Sequence, residues 1–569
     1  MREWQVLVKR ALLLLALVAG CSGPPSVEDA GVDAGANIDA GAHDAGEPDA
    51  GEPDAGSSID AGEPDAGEPD AGEADAGEPD AGEPDAGEPD AGEPDAGEPD
   101  AGNSDGGHYD GQLVAVSHQR ELRGLWVSTV FNLDVPLAAA RSPDAGPVEL
   151  QAIVDVAADH GFNALFFQVR PESDAWYQST REPWSRFVSG TQGQSPGWDP
   201  LATMVQLAHA RGLEVHAWLN PFRGLTSPTV AASPLHITQV LSQHAITYNG
   251  AVTMDPSAPA VRTWIAEVCG EITTNYDVDG IHFDDYLYPY PAATPFPDDV
   301  QYAGYTADGG TMTKSDWRRA NINALMQETS AAVTNAKPWV RFGVSPFGIY
   351  RPGQPPGING LDSYEAISSD PLAWMNAGWV DYVAPQLYWP STQVGQQFGL
   401  LIDWWAGRAQ SAGRQIFAGH ALYRVTMPGW SIQELKTQVL LTRAEYPHAA
   451  GGIWFRTQML RDDIGPGSKA LFANDVYAAP ALPPTLAVRR TATFTPPLVQ
   501  RTGSMLTLTH PSPASVRGYA LYRLNGAQLV FTRFVPGQSA TPTVASGTWA
   551  VAAVDRSDVE SPGVIALVP

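Results

Sequence analysis

A chain of 569 residues with 65 acidic against 33 basic side chains has room for more than one domain. Its formal net charge of −32 argues against nucleic acid as a partner. The excess is local: residues 24–111 hold about 28 Asp and Glu with no Lys or Arg, which leaves the remainder only about four negative.

At the N-terminus Arg2, Lys9 and Arg10 flank or precede an apolar run over residues 11–19. About nine residues fall short of the roughly 20 that span a bilayer, but they suit the apolar core of a secretory signal. The run ends in Val18-Ala19-Gly20-Cys21, which resembles the lipobox of bacterial lipoproteins. That resemblance implies a signal peptide over residues 1–20 and a lipidated Cys21 as the mature N-terminus. It also implies a place in the cell envelope, on a membrane anchor facing the periplasm or the exterior. The other cysteine, Cys269, falls in the helix-periodic stretch 261–272, so a buried helix residue is expected and an intramolecular disulfide is not.

Residues 29–107 repeat Asp-Ala-Gly, mostly as Glu-Pro-Asp-Ala-Gly. The unit offers no large apolar side chain to bury, so it cannot stack as a solenoid. With no core to offset chain entropy, residues 21–117 are expected to form a disordered linker, extended by proline and like-charge repulsion. Such a linker would reach on the order of 270 Å fully extended and about 50 Å as a flexible coil. It reads either as a leash between Cys21 and a working domain or as a spacer of untuned length.

From residue 118 to 479 short β-rich runs alternate with longer amphipathic stretches, the pattern of a parallel sheet with crossover helices. Eight runs are read as strands: 123–130, 163–170, 214–220, 278–284, 341–347, 380–389, 415–422 and 452–456. Helices are expected over 148–160, 201–211, 317–336 and 432–445. Eight such units in about 350 residues predict a (β/α)8 TIM barrel. Alternation along each strand then sets the phase, with apolar residues toward the helices and polar ones inward. It points Trp126, Gln168, Arg170, His216, Trp218, Asn220, His282, Asp284, Gln386, Tyr388, Trp454 and Arg456 into the barrel. Those on the strands' carboxyl ends stand where barrel enzymes place their chemistry.

The motifs along this region recur in order: Arg123-Gly124-Leu125-Trp126, Gln168-Val169-Arg170-Pro171, Pro183-Trp184-Ser185 and His216-Ala217-Trp218-Leu219-Asn220-Pro221. Asp279-Gly280-Ile281-His282-Phe283-Asp284-Asp285-Tyr286, Ser345-Pro346-Phe347-Gly348 and Pro385-Gln386-Leu387-Tyr388-Trp389 follow. Together they resemble the glycosyl-hydrolase-10-like family, also met as an uncharacterised-lipoprotein domain. The resemblance implies an exported barrel that hydrolyses glycosidic bonds. One relative is understood as a peptidoglycan glycosidase that prefers strands stripped of their peptides, so peptidoglycan glycan is the favoured polysaccharide substrate.

Glycoside hydrolysis usually needs two carboxyl groups flanking the bond. Asp284, inward at the end of strand four, and Asp285, at the rim, are the leading candidates, because adjacent buried acids raise one another's pKa and suit a proton donor. The run also resembles the strand-four signature of chitinase-type barrels, but Tyr286 stands where those enzymes carry their acid Glu. Strand seven, Ala418-Gly419-His420-Ala421-Leu422, carries no nucleophilic Glu of the kind found in the largest glycosidase clan. The second carboxylate is therefore sought after strand two, as Asp174 with Glu172 behind it. A sugar platform is expected from Trp126, Trp176, Tyr177, Trp184, Trp218, Tyr286, Tyr288 and Trp389, with Gln168, Arg170, His216, Asn220, Arg223, His282, Gln386 and Tyr388 as polar or aromatic partners. No P-loop, dinucleotide fingerprint or nucleophile elbow occurs, so no cofactor is expected. A metal site of His216, His282 and Asp284 is the weaker alternative.

Residues 480–569 change to β-rich runs at 487–495, 505–508, 518–523, 528–534 and 548–554, which resemble a small fibronectin type III-like sandwich. The whole reads as an exported lipoprotein glycosidase. Its rivals are a non-catalytic glycan-binding lipoprotein, kept open by the missing strand-seven Glu, and an extracellular polysaccharide hydrolase used for feeding.

Overall fold

Eight parallel strands close into a barrel in chain order: β1 (Leu122–Val127), β2 (Ala164–Arg170), β3 (Glu214–Leu219), β4 (Gly280–Phe283), β5 (Arg341–Val344), β6 (Tyr382–Val383), β7 (Gln415–Ala421) and β8 (Ala449–Phe455). The computed structural model describes residues 110–137, 142–486 and 493–569; the expected signal peptide, Cys21 and the repeat tract lie outside them. Each predicted strand overlaps an observed one. The largest shortfall is β6, where Pro385 has no N–H to extend the ladder and Gln386 pairs with Phe347 and Gly419 only as isolated bridges.

Between the strands run α1 (Ala145–Asp159), α2 (Pro200–Ala210), α3 (Pro259–Asn275), α4 (Lys314–Ala336), α5 (Pro371–Asn376), α6 (Phe398–Ala412) and α7 (Ile432–Ala444). Their ends follow from local chemistry. Asp199 caps α2 by accepting from Ala202 N at 2.9 Å, with Pro200 in the first turn, and Ser431 and Thr313 cap α7 and α4 in the same way. Gly413, at φ 62°, ends α6 in the left-handed region where a β-carbon is penalised.

Burial divides into two layers. A large core of Ile153, Val215, Ile265, Ile281, Leu325 and Trp405 among others lies between strands and helices, and Cys269 is buried in it on α3 as expected. A smaller cluster of Leu122, Phe166, Tyr382, Phe417 and Ile453 fills the barrel axis, with Trp126 and Trp218 above it. Two glycines make room on that axis. A β-carbon at Gly280 would sit 2.3 Å from His216 Nδ1, and one at Gly343 would sit 2.1 Å from the Tyr382 ring.

The expected phase fails on β8. Trp454 faces outward, stacked on His420 at 4.2 Å and donating from Nε1 to Tyr477 Oη at 2.9 Å, while Ile453 faces the axis. The run Ile453-Trp454-Phe455 is apolar throughout, so alternation carried no information about its face. A register shift against β7 between Ile416 and Ala418 moves the phase besides. Arg456 turns under the loop after β1, toward Asp134 and Gln458.

Antiparallel sheets follow the barrel. Five strands, in spatial order Leu113–Val114, Gly563–Val568, Gly547–Asp555, Val516–Asn525 and Gln528–Pro536, form one sheet, and Leu498–Thr502 pairs with Met505–Thr509 as a hairpin sharing its core. Leu113–Val114 precedes the barrel in sequence, and the predicted strand at 487–495 lies partly outside the described residues. The all-β part docks on the barrel's amino-terminal end. Arg341, which opens β5, donates to Asp558 at 2.7 Å, Arg517 pairs with Asp558 and with Glu214, which opens β3, and Arg556 pairs with Asp277. These ion pairs are largely buried, so the two parts act as one unit and the opposite, carboxyl end of the barrel stays open.

Candidate active site

The open end holds a cleft with about 710 Å³ of empty space, open solvent included. Asp284 and Asp285 line it just past β4. The facing wall is built from the other side of the barrel by Trp126 on β1, Val130 and Leu133 in the loop after it, Tyr423 after β7 and Phe455 at the end of β8. Trp218, Arg223, Tyr286, Gln386 and Tyr388 complete the sides. Of the residues expected to bind substrate, Trp126, Gln168, Trp218, Arg223, Tyr286, Gln386 and Tyr388 thus meet at one cavity with both aspartates.

Asp284 is held by three donors. Trp218 Nε1 reaches its Oδ2 at 3.2 Å, the Asn220 side-chain amide donates to the same oxygen, and Tyr286 N reaches Oδ1 at 3.2 Å. Burial pushes its carboxyl up to about 7. Arg223 opposes that rise, and the Asp285 charge adds to it. Asp285 is likewise raised by burial, against hydrogen bonds from the Tyr290 hydroxyl and Gln386. Arg223 lies 4.5 Å over the Tyr286 ring, which fixes a cation at the lip of the cleft.

Gln168 and Asn220 act one step behind. Gln168 Oε1 accepts from Thr129 N at 2.8 Å and Val130 N at 2.9 Å, so it pins the loop that forms the facing wall. Its Nε2 donates to Asn220 Oδ1 at 2.6 Å, which leaves the Asn220 amide to donate to Asp284. Asn220 itself does not line the cleft; it aims the carboxylate.

His216 and His282 lie deeper, on the barrel axis. Trp126 Nε1 can only donate, so His282 Nε2 accepts from it at 3.2 Å, and Nδ1 carries the proton toward Tyr382 Oη at 3.0 Å. Tyr382 then donates to His216 Nδ1 at 3.0 Å, and His216 Nε2 donates to Glu214 at 3.1 Å. Burial holds His282 well below the usual imidazole range and His216 at about 3, so both are neutral. Their nitrogens are committed to this column and do not converge with Asp284 on a metal.

Five expected site residues stand elsewhere. Arg170 follows a register shift after Gln168, which turns it out of the barrel. There it meets Glu182 at 2.7 Å and the carbonyls of Asn220 and Pro221. Asp174 is buried in the loop after β2 and raised to about 7, chiefly by burial and then by Glu172. Its oxygens are taken by Gln192 Nε2 at 3.0 Å and Glu172 N at 3.3 Å. Tyr177 packs edge-on against Tyr276, Trp184 packs on the outer core, and Trp389 meets Phe347 edge-on. Trp176 and Tyr288 also belong to the outer core, so the expected aromatic platform shrinks to Trp126, Trp218 and Tyr286. Sequence reasoning missed Phe455, whose face depends on the β8 phase, Tyr423, in the turn after β7, and Ser128, Val130 and Leu133, which lie past the observed end of β1.

Residues 121–436 match the family described as glycosyl hydrolase-like 10, more than half of the chain. The glycosyl hydrolase YngK of Bacillus subtilis (strain 168) is 33% identical over 428 residues, 72% of this chain and 83% of that protein. The glycosyl hydrolase DigH of Escherichia coli (strain K12) is 34% identical over 371 residues, 60% of this chain and 83% of that protein. The glycoside hydrolase domain of PgaB from Bordetella bronchiseptica aligns with 62% of this chain and 98% of its own, at 13% identity and a TM-score of 0.42. With a family match that runs from β1 through β7 and an acidic pair at the carboxyl end of β4, the chain belongs to the glycosyl hydrolase-like 10 family and is a glycoside hydrolase.

Proposed function

We propose that this glycosidase is a lipid-anchored envelope protein that cuts peptidoglycan glycan strands, with Asp284 as proton donor and Asp285 as its partner at the reacting sugar. The observation that carries the catalytic reading is the pair itself. Two buried carboxyls share one wall of an aromatic-lined cleft, and burial brings Asp284 to about 7, where it can hold a proton at neutral pH and still give it up. Tyr286 and Trp126 offer ring faces to a pyranose, and Arg223 offers donors to its oxygens.

A polymeric substrate is supported by a second cleft of about 790 Å³ that continues past Arg223 and Tyr286. Tyr248, Asn249, Thr253 and Tyr290 line it, the first three from the antiparallel strands Ala245–Tyr248 and Ala251–Met254 and the turn between them. The envelope location rests on the lipobox at Cys21, and the choice of peptidoglycan on the family resemblance. Incubating the full chain with intact and with peptide-stripped peptidoglycan, followed by mass analysis, should release glycan fragments from the stripped strands. Binding without any fragment would favour the non-catalytic reading instead.

A further inference from the structure

We propose that the nucleophile at this site is the substrate's own 2-acetamido group, so the protein acts on β-linked 2-acetamido-2-deoxyhexosides and retains the anomeric configuration. This rests on the glycosidase reading and names the substrate class and nucleophile of that same site.

The starting point is where the carboxylates are. Two-carboxylate glycosidases place their acids on either side of the scissile bond, about 5–5.5 Å apart when retaining and about 6.5–9.5 Å apart when inverting. Among the described residues, the acids lining the cleft are Asp284 and Asp285, consecutive in the chain and past the same strand. β8 lies diametrically opposite β4 in the closed order, and the wall it builds with its neighbours is apolar or aromatic, the hydroxyl of Ser128 being turned to Gln168. No acid on that wall can attack the sugar carbon or activate water there.

The acids under the neighbouring loops are already committed. Asp134 accepts from Ser128 N and Gln458 N, each at 2.8 Å, so both of its oxygens serve the backbone. Glu172 holds Arg186 and Thr226 N, and Asp174 holds Gln192 and Glu172 N. Recruiting any of them would leave buried N–H groups unsatisfied, at a cost comparable to a lost hydrogen bond each. The remaining nucleophile is one the substrate brings.

An acetamido group can take that role only when it is trans to the leaving group, which is the 1,2-trans arrangement of a β-glucosaminide. Its carbonyl oxygen forms a bond to C1 while the C1–O bond to the departing sugar breaks. The electron pair stays on the departing oxygen, which takes the proton from Asp284. Asp285 accepts a hydrogen bond from the acetamido N–H and faces the positive charge of the resulting oxazolinium ion. Water then bonds to C1 from the vacated side and gives its proton to the Asp284 carboxylate. The C1–O bond of the ring opens, and its electron pair returns to the acetamido oxygen. Two inversions leave the configuration retained. The apolar facing wall suits the acetamido methyl group, which a hydroxyl at that carbon would not use.

The test uses the full chain on peptide-stripped glycan strands, native and after their amino sugars are de-N-acetylated and re-acylated with acetyl or trifluoroacetyl groups. Fluorine withdraws charge from the attacking oxygen, so trifluoroacetyl strands should be cut at least about 10²-fold more slowly than acetyl ones, the scale of a barrier raised by roughly 3 kcal/mol. A bicyclic thiazoline that copies the oxazoline should inhibit cleavage and bind at least about 10²-fold tighter than substrate, as an analogue of the reaction's high-energy species does. Nuclear magnetic resonance of fresh product should show the β-anomer first. Equal rates on the acetyl and trifluoroacetyl strands, or an α-anomer as first product, would overturn the proposal and leave the glycosidase reading standing. Failure to cut native strands at all would overturn both.

Discussion

Replacing Asp284 with Asn should separate its catalytic role from its cost to the fold. In turnover, losing a positioned proton donor removes about 10²- to 10⁴-fold. In stability, the sign follows from the direction of the shift. A carboxyl raised from 3.8 to about 7 by burial contributes stability that is fully present below the unfolded value and is lost as pH rises through about 7. Just over three pKa units correspond to at most about 4 kcal/mol at pH 8, and little of that is felt at pH 4. Asn carries no charge to bury, so the melting temperature of the variant relative to the parent should climb between pH 4 and 8. The rise should be a few degrees, since a chain of this size moves roughly 1 °C per kcal/mol. A constant offset is expected on top, because one Asn oxygen cannot serve Trp218, Asn220 and the Tyr286 N–H together. The assay is paired: kcat/KM on stripped glycan strands across pH, and calorimetric melting across the same range. Parent activity should fall above about pH 7 as Asp284 ionises. Unchanged turnover in the variant, or a melting difference that ignores pH, would refute the assignment.

Asp174→Asn should keep turnover within about threefold of the parent, because the group lies outside the cleft; a 10²-fold loss would restore it as the second carboxylate. Gln168→Ala should lower kcat more than it raises KM, since it removes the support of Asn220 and of the loop after β1 rather than a sugar contact. A rise in KM alone would show that Gln168 binds substrate directly. Arg341→Met should destabilise by roughly 1.5–3 kcal/mol, the scale of one hydrogen bond to a charged group, because Asp558 keeps Arg517, and unchanged calorimetric melting would mean that this ion pair adds nothing. Cys21→Ser should move the protein out of the membrane fraction, and its retention there after detergent-free washing would refute lipid anchoring.

Strand positions were legible because barrel strands are short, largely apolar runs between helix-periodic stretches, and each of the eight overlaps an observed strand. Phase was legible only where a strand alternates in polarity. β3 and β4 do, so His216, Trp218, His282 and Asp284 were placed on the correct face. β8 does not, and its misread face hid Phe455. Arg170 shows the other limit: it is polar and in phase by count, but a one-residue register shift after Gln168 turns it out of the barrel, where Glu182 neutralises it. The loop aromatics failed for a third reason. Trp176, Tyr177 and Trp389 follow strand ends as sugar-stacking rings do, yet long βα-loops need cores of their own, and these rings supply them.

The polar axis explains how a cleft floor this rich in ionisable groups stays fixed. From Trp126 the donors run one way through His282, Tyr382 and His216 to Glu214, so each ring nitrogen and hydroxyl has a single role and no proton is left to choose between partners. Glu214 closes the column at the barrel's amino-terminal end, where it meets Arg517 from the all-β part at 3.6 Å and Arg341 at 3.9 Å. The docked sheets therefore do more than cover the barrel's lower mouth. Without Arg517 the charge of Glu214 would lose a buried partner. The sheets at one end of the barrel thus support, through the charge they place beside Glu214, a chain of hydrogen bonds that ends on the Trp126 ring lining the cleft at the other.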